Sequence, residues 1–186
     1  MKETLVINLF GGPGCGKSTT MARLFADLKT RGYNVEMVSE FAKDLVYEQR
    51  QETMKDELYI FAKQHHRLFR VIDKVDIIIT DRPLLLTNIY ASLYLPDDEF
   101  RKDLQRLVRT TFMNFNNFNL VLNREGIEYK DGEGRLQDLE EAEKIDKLTI
   151  KELILAGASY SMRRTNNYEG IFEDVLRIIN MESYRD

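Results

Sequence analysis

Eight consecutive residues near the amino terminus, Gly11-Gly12-Pro13-Gly14-Cys15-Gly16-Lys17-Ser18, satisfy the pattern G-x-x-x-x-G-K-[ST] in full. The chemistry open to such a run is the holding of a string of phosphates. Glycines let successive backbone N–H groups turn inward as an anion cradle, where a Cβ would intrude. A lysine at Lys17 reaches the terminal phosphates, and the Ser18 hydroxyl suits a magnesium ion shared with them. Lys17, Ser18 and Thr19 also open a helical pattern, whose positive end adds to the cradle. Residues 11–19 are therefore the expected ATP-binding segment, with Mg2+ accompanying the nucleotide. Cys15 is the chain's only cysteine, so it reads as a small loop residue; an internal disulfide or a Cys-based zinc site is ruled out.

A phosphate loop does not choose what receives the phosphate. Two acidic residues stand where an acceptor would be met. Glu40 follows one apolar run (34–38), and Asp81 follows another (75–80) in Thr80-Asp81-Arg82-Pro83. In open α/β sheets ligands sit outside the carboxyl ends of the strands, which places both on the edge of the phosphate loop. Glu40 suits the general base that takes an acceptor hydroxyl's proton. Asp81 suits the positioning of Mg2+, together with Ser18, and Arg82 the stabilising of charge on the phosphoryl group. The same residue types also serve as a carboxylate at a helix start and as an internal ion pair, so spacing leaves both readings open.

The elements that must position these groups can be read from periodicity. Short apolar runs at 4–10, 34–38, 75–80, 119–122 and 159–162 read as strands. Between them, helical spacing recurs at 17–31, 41–50, 53–73, 84–94, 97–112, 139–156 and 171–180, with Thr53 to Asp56 as the expected start signal of the third helix and Pro96 separating the fourth from the fifth. Strands alternating with helices imply a parallel sheet covered on both faces. Residues 125–138 hold three glycines and no periodicity, and read as a mobile loop.

The composition suits this architecture and removes some function classes. The chain has 186 residues, 43% hydrophobic and 31% charged, with a formal charge of −4. That is an ordinary balance for one domain with its own core. The acidic total argues against broad coating of nucleic acid or anionic membranes. No run approaches the roughly 20 apolar residues of a membrane span. The first residues read as a strand and turn, not as a secretory signal, so the expected setting is the cytoplasm.

Taken together, the loop GGPGCGKS, the stretch VSEFAKDL, the stretch IIITDRPLL and the segment NREGIEYKDGEGRLQDLEEAEKID resemble small P-loop kinases of the nucleoside, deoxynucleoside and nicotinamide-riboside type, with the AAA-like domains grouped with them. The likeness covers about residues 4–165. It implies a three-layer P-loop NTPase fold with sheet order 2-3-1-4-5 and a small lid at 124–138, all within one kinase domain spanning 1–186. It also implies Glu40 as base, Asp81 with Arg82 as an acceptor pair, and Arg135 as the arginine delivered to the γ-phosphate, with Arg124 a further nucleotide contact. On the helix before the third strand, Gln64 and Tyr59 would join Glu40 and Arg82 around the acceptor. One departure is Pro83, where such kinases carry a small polar residue. The implied activity is transfer of the γ-phosphoryl group of ATP to a hydroxyl of a nucleoside or ribosyl compound. A nucleoside monophosphate acceptor, a 5′-hydroxyl polynucleotide and a nucleotide-gated switch stay open as alternatives. The two apolar helices 84–94 and 97–112 suit either the core or a homodimer interface.

Overall fold

The apolar runs become five strands of one parallel sheet in the order β2-β3-β1-β4-β5. They are β1 Leu5–Phe10, β2 Val35–Val38, β3 Ile77–Thr80, β4 Asn116–Asn123 and β5 Ser161–Arg164. This computed structural model describes residues 3–126 and 138–183. Helices α1 Lys17–Thr30 and α7 Tyr168–Ser183 cover one face of the sheet. Helices α3 Glu57–Phe69, α4 Leu86–Tyr94, α5 Glu99–Met113 and α6 Leu139–Leu155 cover the other. A short α2, Ala42–Tyr47, follows β2. The three-layer arrangement and the strand order are those expected from the sequence.

Strand β1 shows why its run is apolar throughout. In register, Ile7 lies between Ile79 of β3 and Phe118 of β4. Leu5, Ile7 and Leu9 enter the core beneath α1 and α7, while Val6 and Phe10 enter the core beneath α3 to α6. A strand buried on both faces cannot alternate. Truncating fully buried Ile7 to alanine should cost about 2–5 kcal/mol, because the packed neighbours relax only in part.

Several boundaries differ from the sequence reading, each for a physical reason. Strand β4 begins at Asn116, three residues before the expected 119, because Asn116 and Asn117 pair with Leu5 and Val6 despite poor strand propensity. The buried asparagines satisfy one another: Asn8 Nδ2 donates to Oδ1 of Asn117 (2.8 Å) and of Asn119 (3.0 Å). Strand β5 lies at 161–164, set by pairing of Ser161 with Leu120 through to Arg164 with Asn123. The expected helix over 53–73 starts at Glu57, after a 3-10 turn at Gln51–Lys55; its cap is Asp56, whose carboxylate accepts from the Tyr59 N–H at 3.0 Å. It ends before Asp73, whose φ of 61° is left-handed. Helix α7 extends beyond 171–180 at both ends.

Pro96 separates α4 from α5 as expected, and the apolar sides of both, with Leu86, Ile89, Leu104, Val108 and Phe112, lie in the core. The expected lid falls largely on 127–137, outside the described residues; helix α6 begins at once after it with a capping box formed by Asp138 and Glu141. No described helix is long and apolar enough to cross a membrane.

Candidate active site

The parallel sheet delivers three connections to one edge: the loop after β1, Glu40 after β2, and Asp81-Arg82 after β3. Within the first, Gly16 sits at φ 88° and starts α1 from a left-handed conformation. A Cβ there would stand 2.6 Å from the Thr165 Cγ2. Gly12 is needed for a different reason: a Cβ on it would lie 2.4 Å from the backbone oxygen of Ala142, so α6 rests directly on the loop. Side chains from distant elements hold the rest. Thr165 Oγ1 donates to the Cys15 carbonyl at 2.8 Å. Asp146 of α6 accepts the Gly12 N–H at 2.5 Å on one oxygen and Arg124 Nε at 2.6 Å on the other. Arg124 also donates to the Pro13 carbonyl at 3.1 Å.

Lys17 is folded back on its own loop, with Nζ donating to the carbonyls of Gly11 (2.7 Å) and Gly12 (3.0 Å). The Ser18 hydroxyl donates to Asp81 Oδ2 at 2.6 Å. Asp81 Oδ1 accepts the backbone N–H of Glu40 at 3.0 Å. These contacts draw Ser18, Glu40 and Asp81 together from three connections. Ser18 and Asp81 present adjacent hard oxygen donors, which fit a magnesium ion that takes its other ligands from phosphates and water.

Arg82 is buried at the centre of the second half of the site. Its Nη1 donates to Glu40 Oε1 at 3.1 Å, and its Nη2 lies 3.9 Å from Glu57 Oε2. The guanidinium carbon stands 4.4 Å from the centroid of the Tyr90 ring. Burial works against the Arg82 charge, but Glu40, Tyr90 and Glu57 outweigh it and hold the guanidinium pKa above its ordinary value. For Glu57 burial dominates: the carboxyl is pushed up to about 7 against the lowering influence of Arg82, with Glu40 and Asp56 raising it further.

The two halves share one cavity of about 200 Å³. Gly14, Lys17, Ser18 and Thr19 line one end; Glu40, Glu57, Arg82, Leu86, Tyr90 and Tyr94 line the other. The expected residues Lys17, Ser18, Glu40, Asp81 and Arg82 are thus brought together. Gln64 and Tyr59 are not on the cavity wall. Gln64 is buried beneath the β2–α2 connection, accepting from the Phe41 N–H at 2.9 Å and donating to the Ser39 carbonyl at 3.3 Å. The Tyr59 ring packs edge-on against Phe41 at 5.5 Å. Arg124 reaches the loop, with Asp146 meeting its charge. Arg163 is locked onto Asp174 of α7, and Arg164 pairs with Glu125. Arg135 lies outside the described residues.

Three groups escaped the sequence reading: Glu57, Tyr90 and Asp146. A signal for Glu57 existed, since Glu57, Ile60, Phe61, Gln64 and Leu68 form the buried stripe of α3 at i, i+3, i+4, i+7 and i+11. A carboxylate on such a stripe is out of place unless it has work to do.

The protein family described as "AAA domain" matches residues 6–169 of this chain. Among curated proteins, none matches the sequence. Among solved structures, the chain is similar to the NadR protein in complex with NR (TM-score 0.71, 21% identity), covering 92% of this chain and 50% of that one. It is similar also to NadR in complex with NAD and AMP-PNP (TM-score 0.64, 19% identity, covering 92% and 48%). A third similar structure is deoxyadenosine kinase from M. mycoides with bound dATP (TM-score 0.58, 16% identity, covering 94% and 99%). The chain thus spans about half the length of the NadR structures. At these identities the likeness is one of fold.

Proposed function

We propose, from the premise that this chain belongs to the AAA-domain family matched over residues 6–169, that it is a phosphotransferase moving the γ-phosphoryl group of ATP to a hydroxyl of a nucleoside or ribosyl acceptor. The observation that carries the reading is the pairing of Glu40 with Arg82 at 3.1 Å inside the cavity that Lys17 and Ser18 also line. A carboxylate paired with a guanidinium in a chamber beyond the phosphate loop gives an acceptor hydroxyl a place to lose its proton. The similar structures support the reading: one holds AMP-PNP, one holds NR, and one is a kinase of deoxyadenosine.

The residues would divide the work as follows. Lys17 exchanges the Gly11 and Gly12 carbonyls for the β- and γ-phosphates, where its charge meets charge developing in transfer. Magnesium, held through Ser18 and Asp81, would neutralise phosphate oxygens. Glu40 receives the proton of the attacking hydroxyl. Arg82 fixes the Glu40 oxygen by donating to it at 3.1 Å, an arrangement worth most in a site shielded from water. Gln64 positions Glu40 from below by holding the backbone on both sides of it. The remaining proposed parts, Arg135 and a lid over 124–138, complete a single kinase unit.

The reading is tested with γ-labelled ATP, magnesium and a panel comprising nucleosides, nicotinamide riboside, nucleoside monophosphates and a 5′-hydroxyl oligonucleotide. Label on a nucleoside or on nicotinamide riboside is the expected outcome. Free labelled phosphate with no labelled acceptor would overturn the reading in favour of a switch.

A further inference from the structure

We propose that Asn88 is a positioning residue for the acceptor half of the site, and that Glu152 of α6 is the anchor that fixes it. The proposal rests on the kinase reading above and deepens it. Leu86 and Tyr90, four residues apart on one face of α4, line the cavity. Asn88 lies two residues, or about 200°, from each, so it leaves α4 on the side away from the chamber. There its Nδ2 donates to Glu152 Oε1 at 2.6 Å and to the Gln105 carbonyl at 3.1 Å, while Gln105 Nε2 donates to the Asn88 carbonyl at 3.2 Å. Arg109 of α5 closes on the same carboxylate with two bonds, Nε to Oε1 and Nη2 to Oε2, each at 2.8 Å. Three helices thus meet at one carboxylate.

The cluster is costly where it stands. Asn88 is 1% exposed and Glu152 6%, on helices whose Ile89, Leu104, Val108 and Leu153 belong to the apolar core. Asn88 Oδ1 has no hydrogen-bond partner among the described residues. Apolar side chains at 88, 109 and 152 would fill such a core without that cost. What apolar contact supplies poorly is a unique arrangement, whereas a carboxylate that holds an amide on α4 and a guanidinium fork on α5 fixes the rotation of both helices. That rotation reaches the chemistry. The Tyr90 ring lies over the Arg82 guanidinium at 4.4 Å, and Arg82 donates to Glu40 at 3.1 Å, so a turn of α4 is passed to the proposed base through two contacts. A displacement on the order of 1 Å at the reacting groups costs about 100-fold in rate. The phosphate loop has a separate anchor on α6, since Asp146 holds the Gly12 N–H at 2.5 Å and Arg124 at 2.6 Å. Releasing Asn88 should therefore disturb the acceptor half and spare the nucleotide half.

Two variants release α4 from opposite sides. Asn88→Leu leaves Glu152 paired with Arg109, and the double variant Arg109→Met with Glu152→Met leaves Asn88 without its anchor. Each is assayed with γ-labelled ATP and magnesium, with nucleosides and nicotinamide riboside as acceptors. Asn88→Leu should keep the thermal midpoint of wild type, since an apolar side chain replaces an amide with an unpaired oxygen. In both variants kcat/KM for the acceptor should fall about 10- to 100-fold, with acceptor KM raised and the ATP KM within about twofold of wild type. Combining all three changes should raise the acceptor KM no further, because each breaks the same link. A cluster that only stabilises the core predicts an unchanged acceptor KM wherever the thermal midpoint is unchanged. An acceptor KM at the wild-type value in whichever variant folds, equal rises in both KM values, or loss of folding in both variants overturns the assignment while the kinase reading stands. Label on no acceptor with wild type overturns both.

Discussion

Asp81 joins Ser18 to Glu40: one carboxylate oxygen accepts the Ser18 hydroxyl at 2.6 Å while the other accepts the Glu40 backbone N–H at 3.0 Å. A single side chain thereby ties the Ser18 hydroxyl, proposed as a magnesium ligand, to the backbone of Glu40, proposed as the base. Asp81→Asn should break this link on one side, because an amide nitrogen would face a donor. The expected result is a loss of about 1–3 kcal/mol in urea unfolding and a fall of about 100-fold in kcat. Wild-type kcat in this variant would remove Asp81 from the proposed machinery.

Glu40→Gln removes the proposed proton acceptor and keeps the shape. Turnover should fall by about 10²- to 10⁴-fold with the ATP KM little changed, as for a group that acts in the transition state. A second readout follows from the cluster. Glu40 is among the charges that raise the Glu57 carboxyl, so neutralising it should move the titration of Glu57 down. Unaltered titration would mean that the two carboxylates are not coupled.

Stability should depend on pH through Glu57. Burial raises its folded pKa from 4.5 to about 7, so between those values the native state binds more protons than the unfolded chain. Native stability therefore falls as pH rises through that window and levels off above it, with roughly 3 kcal/mol as the ceiling. Glu57→Gln should flatten the slope between about pH 4.5 and 7, measured by urea unfolding at several pH values. An equal slope in the variant would assign the effect to other groups.

The parts of this site that could be read from sequence are those whose position follows from chain direction. Glu40 and Asp81 end strands of a parallel sheet, and every such strand points the same way, so finding the strands finds the edge. Glu57, Tyr90 and Asp146 arrive from helices, and their place depends on how those helices pack. Asp146 meets Gly12 across 134 residues of chain. Gln64 shows the converse: its type suits the acceptor contact expected of it, but burial on the α3 stripe turns it toward the backbone at Ser39 and Phe41. The ends of β4 were illegible for a related reason, since Asn116 and Asn117 enter the strand through pairing with β1 and not through propensity.

Gly16 and Gly12 of the phosphate loop should respond differently to the same change. In Gly16→Ala the new methyl meets Thr165 Cγ2 at 2.6 Å and the residue must also hold φ 88°. Trimming Thr165 to Ser removes that methyl and keeps the hydroxyl that donates to the Cys15 carbonyl. The double variant Gly16→Ala with Thr165→Ser should therefore recover the steric part of the loss and retain about 1–2 kcal/mol for the left-handed backbone. In Gly12→Ala the obstacle is the Ala142 carbonyl at 2.4 Å, which is backbone and cannot be trimmed. Helix α6 must move, and with it the Asp146 carboxylate that holds both the Gly12 N–H and Arg124. Gly12→Ala should cost about 1–3 kcal/mol and raise the ATP KM, with no rescue from Thr165→Ser. Rescue of both glycine variants by Thr165→Ser, or of neither, would contradict the packing that separates them.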